Sequence, residues 1–572
     1  MRNVKLMLAI IFLAAFLRLW ALDKVPVSLM GDELDLGYQA YSILKTGKDY
    51  SGNPWPLHFQ SLAEWRTPLY LYSSIPTVML FGITPWGVRL PAAMFGILGV
   101  WLFYLVVKTA TGNRRLALLA SFLLAISPWH IQYSRAGFEV TQMLALYLAG
   151  IYFFILALKR GKLLAISAIF LALTPWAYST AKFFAPLTIV ALCAIWWKDL
   201  IKLEKKYLLW AFTALLIVGV PIAYSTVFGG GTARFGNLSV FTDPTTVPEI
   251  GFARLHDAKM RDNSAVIGIQ PTIVDRLFHN KITQWTTILG RNYLQSFSTQ
   301  FLFIEGDLNP RHSPDAVGQF YKIEALFLIL GIIFFFTRPF DRKIKLFLIF
   351  WLLSAPLPAA LTRDGGMHAT RLFFFLPPLM FMIALGIFQT YKILSSKWRK
   401  IFLVLSVSWY LVSFIFYQHN YWVHYPWNSE RWWHAGFEDA IKTTMGESSK
   451  FDKVIFSMAD EPSFIFFLGW SAYPPAEFQS AYIPGEFLQQ EEVPHFGKIS
   501  KVGKFYFGSP SPRVGVYDLA SVLPPNTLYM ASSKEVSVNL ILEPDRKPGD
   551  LNLIKAVAFP SGEPAFYLFS KR

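Results

Sequence analysis

Asp32 and Glu33 stand side by side in the run Met30-Gly-Asp-Glu-Leu-Asp-Leu-Gly-Tyr38, directly after the first apolar stretch of the chain. Paired carboxylates beside apolar neighbours are costly to desolvate, which points to a purpose; the plainer reading is a helix N-terminus, where acids favour the dipole and Asp32 acts as a cap. Glu64-Trp-Arg-Thr-Pro-Leu-Tyr70 then sets Glu64 two residues from Arg66. A carboxylate and a guanidinium at that spacing can position a metal or a phosphate, or form an interfacial ion pair within an aromatic belt. Ser127-Pro-Trp-His-Ile-Gln-Tyr-Ser-Arg-Ala-Gly-Phe-Glu139 packs His130, Arg135 and Glu139 into one short connection. Glu139 opens the next apolar run, where a cap or dipole role is ordinary, whereas Arg135 is harder to dismiss.

Two later segments add cations. Glu305-Gly-Asp-Leu-Asn-Pro-Arg-His-Ser-Pro314 offers two carboxylates with Arg311 and His312 in a Gly/Pro-shaped loop. A histidine near carboxylates suits a divalent metal, but the spacing matches no zinc pattern, and a structural histidine is the simpler reading. His368 and Arg371, in Leu361-Thr-Arg-Asp-Gly-Gly-Met-His-Ala-Thr-Arg371, are three residues apart and share a helical face. Basic residues at a helix N-terminus need an anion, and phosphate suits that end of a helix. Lys182, after Tyr178-Ser-Thr180, fits the same account, with snorkelling toward lipid headgroups as its alternative.

All of these residues lie between or at the edges of long apolar runs. The chain has 572 residues, of which 54% are hydrophobic and only 16% charged, too oily for a soluble multidomain protein. Runs near 4–22, 87–107, 116–128, 140–158, 163–179, 183–197, 208–226, 322–337, 346–361, 372–390 and 401–417 predict about eleven transmembrane helices. The first, with Arg2 and Lys5 before it, also has a signal-peptide reading, weakened by Arg18 within it and by the lack of a cleavage site. The net charge of +16 invites a nucleic-acid partner, but Arg2/Lys5, Lys108/Arg114/Arg115, Lys159/Arg160/Lys162, Lys198/Lys202/Lys205/Lys206, Arg338/Arg342/Lys343/Lys345 and Lys392/Lys397/Arg399/Lys400 fall on alternate connections. Positive charge stays on the cytoplasmic side, so the N-terminus is expected inside, and connections 23–86, 129–139, 227–321 and 362–371 outside with the tail. Cys193, the single cysteine, lies in an apolar run and leaves no disulfide framework. The expected domains are a membrane region, 1–417, and an extracytoplasmic α/β domain, 418–572, whose aromatic and β-branched runs alternate with turn signals.

Taken in order and on one side, Gly31-Asp-Glu, Glu64-Trp-Arg-Thr-Pro-Leu-Tyr, Ser127-Pro-Trp-His with Arg135 and Glu139, and Gly365-Gly-Met-His-Ala-Thr-Arg resemble the GT-C superfamily of membrane glycosyltransferases, in the branch of protein O-mannosyltransferases and lipid A aminoarabinose transferases. The resemblance covers 1–417 and implies an inverting transfer of sugar from a polyprenyl phosphate to an acceptor protein, lipid or glycan at the outer face. It makes Asp32 the catalytic carboxylate, a general base for the acceptor hydroxyl, with Glu33 as its support. Arg66, Lys182, His368 and Arg371 become candidates for the departing lipid phosphate, Arg135, Glu139 and Arg311 for substrate contacts, and Glu64 with His312 for a divalent metal. A transporter of a lipid-linked or anionic solute would show paired repeats and spans broken at matching positions of two halves, and no such symmetry is visible. A scaffold would leave these charged groups without a shared purpose.

Overall fold

Backbone in lipid must satisfy its hydrogen bonds internally, and the apolar runs do so as helices. The computed structural model describes residues 2–61, 65–261, 268–484 and 487–571, the side chains of Arg2 and Arg234 excepted. In it α1 (Arg2–Leu19) and α2 (Gly31–Thr46) precede two short strands, β1 (Phe59–Gln60) and β2 (Trp65–Arg66). There follow α3 (Pro68–Phe81), α4 (Pro85–Thr111), α5 (Arg114–Ile126), α6 (Pro128–Ser134), α7 (Val140–Ala157), α8 (Leu164–Ala177), α9 (Ala181–Leu200) and α10 (Lys205–Phe228). After shorter helices, α11 (Glu324–Thr337), α12 (Arg342–Ser354), α13 (Leu376–Ile393) and α14 (Ser396–His419) complete the helical part.

Among the described residues, seven helices are long and apolar enough to cross a membrane, and α5 with α6 make an eighth if the 59° bend between them lies within one span. The bend has a cause: Pro128 has no N–H to continue the helix, and Ser127 before it turns extended at ψ 127°. The expected eleven is therefore not reached. Two of the apolar runs form helices of only 14 residues, α8 and α11, about 21 Å long against a hydrocarbon layer of about 30 Å. α1 carries three cations, Arg2, Lys5 and Arg18, and is not among the seven. Packing between helices uses small residues, as lipid gives apolar side chains no reason to associate. Where α11 meets α13, a Cβ on Gly331 would stand 1.9 Å from the Met382 carbonyl oxygen, and one on Gly386 2.0 Å from that of Phe327.

The C-terminal part is a mixed seven-stranded sheet. Its strands are β3 (Lys453–Phe456), β4 (Gln489–Val493), β5 (Gly497–Val502), β6 (Phe505–Phe507), β7 (Thr527–Ser532), β8 (Asn552–Ala558) and β9 (Pro564–Lys571), in the order β4-β5-β6-β3-β7-β9-β8. The centre is parallel and the flanks antiparallel. β7 is buried throughout, as a central strand covered on both faces should be. This domain rests on α2. Tyr38 donates to the Tyr473 carbonyl at 3.0 Å, and Leu34 packs so tightly under Gly469 that a Cβ there would meet it at 2.7 Å. The helix that carries the acidic pair is thereby clamped between the membrane helices and the sheet domain.

Candidate functional site

The geometry starts with α2. Its first turn contains Asp32 and Glu33, which favour the N-terminal dipole, and Glu33 accepts the Met30 N–H at 3.3 Å. Consecutive helical residues point about 100° apart, and the two carboxylates go to different surroundings. Glu33 is fully buried and takes Arg89 in a bidentate pair, 2.8 and 2.9 Å, together with the Gly137 N–H at 2.7 Å. Arg89 in turn donates to the carbonyls of Leu22, Pro26 and Ser28 and lies 5.5 Å from the Trp433 ring. Glu33 thus holds the frame in place.

Asp32 faces outward, its side chain 60% exposed, and accepts from Arg66 at 2.7 Å. The same guanidinium reaches Asp35 through Nε at 2.9 Å and Glu139 through Nη1 at 3.7 Å. Pairing of β2 with β1 and the extended Thr67 before Pro68 aim Arg66 at this spot. Arg66, expected at a phosphate, thus gathers three carboxylates around its guanidinium. Asp35 was visible in the sequence, one turn on from Asp32, but only the position of Arg66 shows its part.

Glu139 directly follows Phe138, whose ring lies 5.7 Å from that of His312. There a second group gathers: Asp307, His312 and His368 offer ligand atoms all within 4.8 Å of one another. His312 Nδ1 donates to Asp307 at 2.7 Å, and Ala369 N–H donates to the same oxygen at 2.8 Å. A metal ion shared by Asp307 and His312 would take the place of the proton in this hydrogen bond. Burial alone would raise the Asp307 carboxyl, but the two imidazoles and the hydrogen bonds to it hold it below the usual carboxylate range. Metal–ligand distances near 2.1 Å put tetrahedral ligands about 3.4 Å apart, within small rotations of this arrangement. The donor set fits a divalent ion. His368, expected at a phosphate, lies in this group with Asp307, and the expected ligand Glu64 lies outside the described residues. The group lines a polar cavity of about 410 Å³ that also contains Arg291, Arg363, Asp364 and Trp432.

A second cavity, about 440 Å³, brings Lys182 and Arg371 together with the apolar side chains of Phe183, Phe235, Leu238, Phe241 and Leu361. Arg371 donates to Thr362 at 2.7 Å and to Asp364 at 2.6 Å, and Asp364 lines the neighbouring polar cavity. Two cations in an oily pocket match an amphiphile with an anionic head.

Two expected substrate residues serve other ends. Arg135 is fully buried and donates to the carbonyls of Leu17, Trp20, Ala21 and Val25, closing the end of α1 and the turn after it; its guanidinium is spent on backbone. Arg311 donates to the Trp432 carbonyl at 2.7 Å and lies 5.7 Å from that indole, tying the loop after Glu305 to the segment that leads into the sheet domain. Arg89 carried no sequence signal, since it does not sit in a run of chemically suggestive residues.

Comparison with known proteins bears on the fold. Residues 66–224 match the family described as dolichyl-phosphate-mannose-protein mannosyltransferase. The chain superposes on the apo oligosaccharyltransferase of Archaeoglobus fulgidus with a TM-score of 0.51 at 14% identity, over 82% of this chain and 64% of that one. It superposes on ArnT from Cupriavidus metallidurans bound to undecaprenyl phosphate with a TM-score of 0.50 at 10% identity, over 99% and 97%. The archaeal oligosaccharyltransferase AglB from Archaeoglobus fulgidus, in complex with an inhibitory peptide and a dolichol-phosphate, gives 0.50 at 12% over 82% and 63%. The chain thus spans slightly under two thirds of the archaeal enzyme. No curated protein matches it by sequence. The fold is that of the GT-C membrane glycosyltransferases.

Proposed function

We propose that this GT-C fold is an inverting glycosyltransferase that moves a sugar from a polyprenyl-phosphate donor to an acceptor hydroxyl. The observation that carries the reading is the cavity in which Lys182 and Arg371 stand among apolar side chains. A lipid phosphate asks for that combination: apolar walls for the isoprenoid and cations for a leaving group that departs as an anion without needing an acid. Solved structures of the same fold hold undecaprenyl phosphate and dolichol-phosphate.

In this reading Asp32, solvent-facing yet oriented by Arg66, accepts the proton of the acceptor hydroxyl. The hydroxyl oxygen forms its bond to the anomeric carbon from the face opposite the phosphate. The carbon–oxygen bond to the donor breaks, and its electron pair leaves on the phosphate toward Lys182 and Arg371. A divalent ion held by Asp307, His312 and His368 would add positive charge near the phosphate when bound. Arg66 holds Asp32, Asp35 and Glu139 at fixed distances, so the base loses little orientation freedom on binding.

The alternating basic clusters assign the N-terminus to the cytoplasm, and with it the site and the sheet domain to the outer face of a cell membrane. The domain division at about residue 417 and the open choice among protein, lipid and glycan acceptors belong to the same proposal. The test is transfer of labelled sugar from a panel of polyprenyl-phosphate donors by wild type and Asp32→Asn at equal expression. Transfer lost in the variant supports the reading, equal transfer removes Asp32 as base, and no transfer by wild type from any donor rejects the activity.

A further inference from the structure

Lys182 reaches its cavity through a long side chain that has rotamer freedom to lose, and an ammonium already fixed in place binds an anion at lower entropic cost. Two contacts fix it. Nζ donates to His58 Nε2 at 2.9 Å and to the Gly231 carbonyl at 3.2 Å. Because Nε2 accepts, the imidazole proton lies on Nδ1, where it is donated to Ser225 Oγ at 2.6 Å. His58 comes from the loop before β1 and Gly231 from the segment after α10, so two distant stretches of chain close on one amine, with Ser225 of the last turn of α10 behind the imidazole.

The arrangement works only with a neutral imidazole, since a protonated one can neither accept from the ammonium nor sit beside it without repulsion. His58 is 3% exposed; its burial first, and the charge of Lys182 second, push its pKa down to about 4. The glycine run Gly229-Gly230-Gly231 makes the approach possible. A Cβ on Gly231 would stand 2.7 Å from His58 Nε2, one on Gly230 2.9 Å from the Trp65 ring, and Gly230 has φ +83°.

We infer that His58, held by Ser225, is a positioning residue that sets the Lys182 ammonium at the wall of the apolar cavity to receive a lipid phosphate. This rests on the reading of Lys182 as a donor-phosphate ligand.

The test uses the full chain in nanodiscs, titrated with a long-chain polyprenyl monophosphate and, as an uncharged control, the corresponding polyprenol. His58→Leu is expected to weaken phosphate binding roughly tenfold, equivalent to about 1.4 kcal/mol, and to leave polyprenol binding unchanged. Unchanged polyprenol binding also reports that the variant is folded. His58→Gln, whose amide oxygen accepts from the lysine and whose amide N–H donates to Ser225, retains most of the affinity, and Ser225→Ala falls between. In a Lys182→Met background His58→Leu has no further effect. The inference is overturned if His58→Leu binds the phosphate as wild type does, or if it weakens binding as much without Lys182 as with it. Wild-type affinity in Lys182→Met itself would overturn the lysine assignment and this inference together; a loss there with none in His58→Leu overturns the inference alone.

Discussion

Replacing Glu33 by Gln should separate stability from chemistry at two adjacent acids. Glu33 has no exposed surface and accepts from Arg89 twice, from Gly137 and from Met30. The amide keeps one acceptor oxygen, turns an N–H₂ toward groups that are themselves donors, and leaves the Arg89 charge buried without its counterion. Breaking a buried pair from one side costs about 3–5 kcal/mol, whereas replacing the whole pair by apolar side chains is often close to neutral. Glu33→Gln should therefore lower the thermal midpoint and shorten the inactivation half-life. Glu33→Met with Arg89→Met should recover only part, because Arg89 also serves the carbonyls of Leu22, Pro26 and Ser28. Asp32→Asn changes a carboxylate that is itself 60% exposed and leaves the buried Arg66 its pairs with Asp35 and Glu139. It should leave stability near wild type and cost about a hundred- to ten-thousand-fold in transfer. Intrinsic-fluorescence melting in nanodiscs, beside the labelled-sugar assay, reads both. If Glu33→Gln melts as wild type does, or Asp32→Asn is destabilised as much as Glu33→Gln, the division of labour argued from the two environments is wrong.

Three further outcomes are expected. Zn²⁺ or Mn²⁺ should raise the melting temperature of wild type, by about 2.7 kcal/mol of stabilisation at a hundredfold excess over Kd, and His312→Ala should abolish the rise; an equal rise in both would remove the site. The His58 pKa is lowered from 6.5 to about 4, so the unfolded chain takes up a proton first as pH falls. Wild type should then lose stability from about pH 6.5 down to about pH 4, by about 1.4 kcal/mol per unit, a component missing from His58→Gln in melting curves over that range. Gly386→Val should force α11 from α13, since even one carbon there collides with the Phe327 carbonyl; a variant as stable as wild type in detergent would show that the two helices can part without cost.

The membrane class, the order of the acidic and basic motifs and the likeness to GT-C enzymes were legible in the sequence, because apolar runs and charged clusters are local and lipid permits few backbone solutions. A run of apolar residues does not say whether its helix spans the membrane, and α8 and α11, at 14 residues each, are shorter than a straight span needs. Nor does spacing tell neighbours apart: Asp32 and Glu33 differ by one residue, yet one faces solvent and the other a buried arginine, a choice made by Arg66 and Arg89 arriving from other segments. His368 looks like a phosphate ligand until Asp307, some sixty residues earlier in the chain, is folded beside it. Arg135 looks free until the end of α1 presents four carbonyls. Sequence determined which charges the protein carries between its apolar runs. Tertiary structure decided which charges meet, because a buried ion is defined by its partner, and partners here come from helices and loops far apart in the chain.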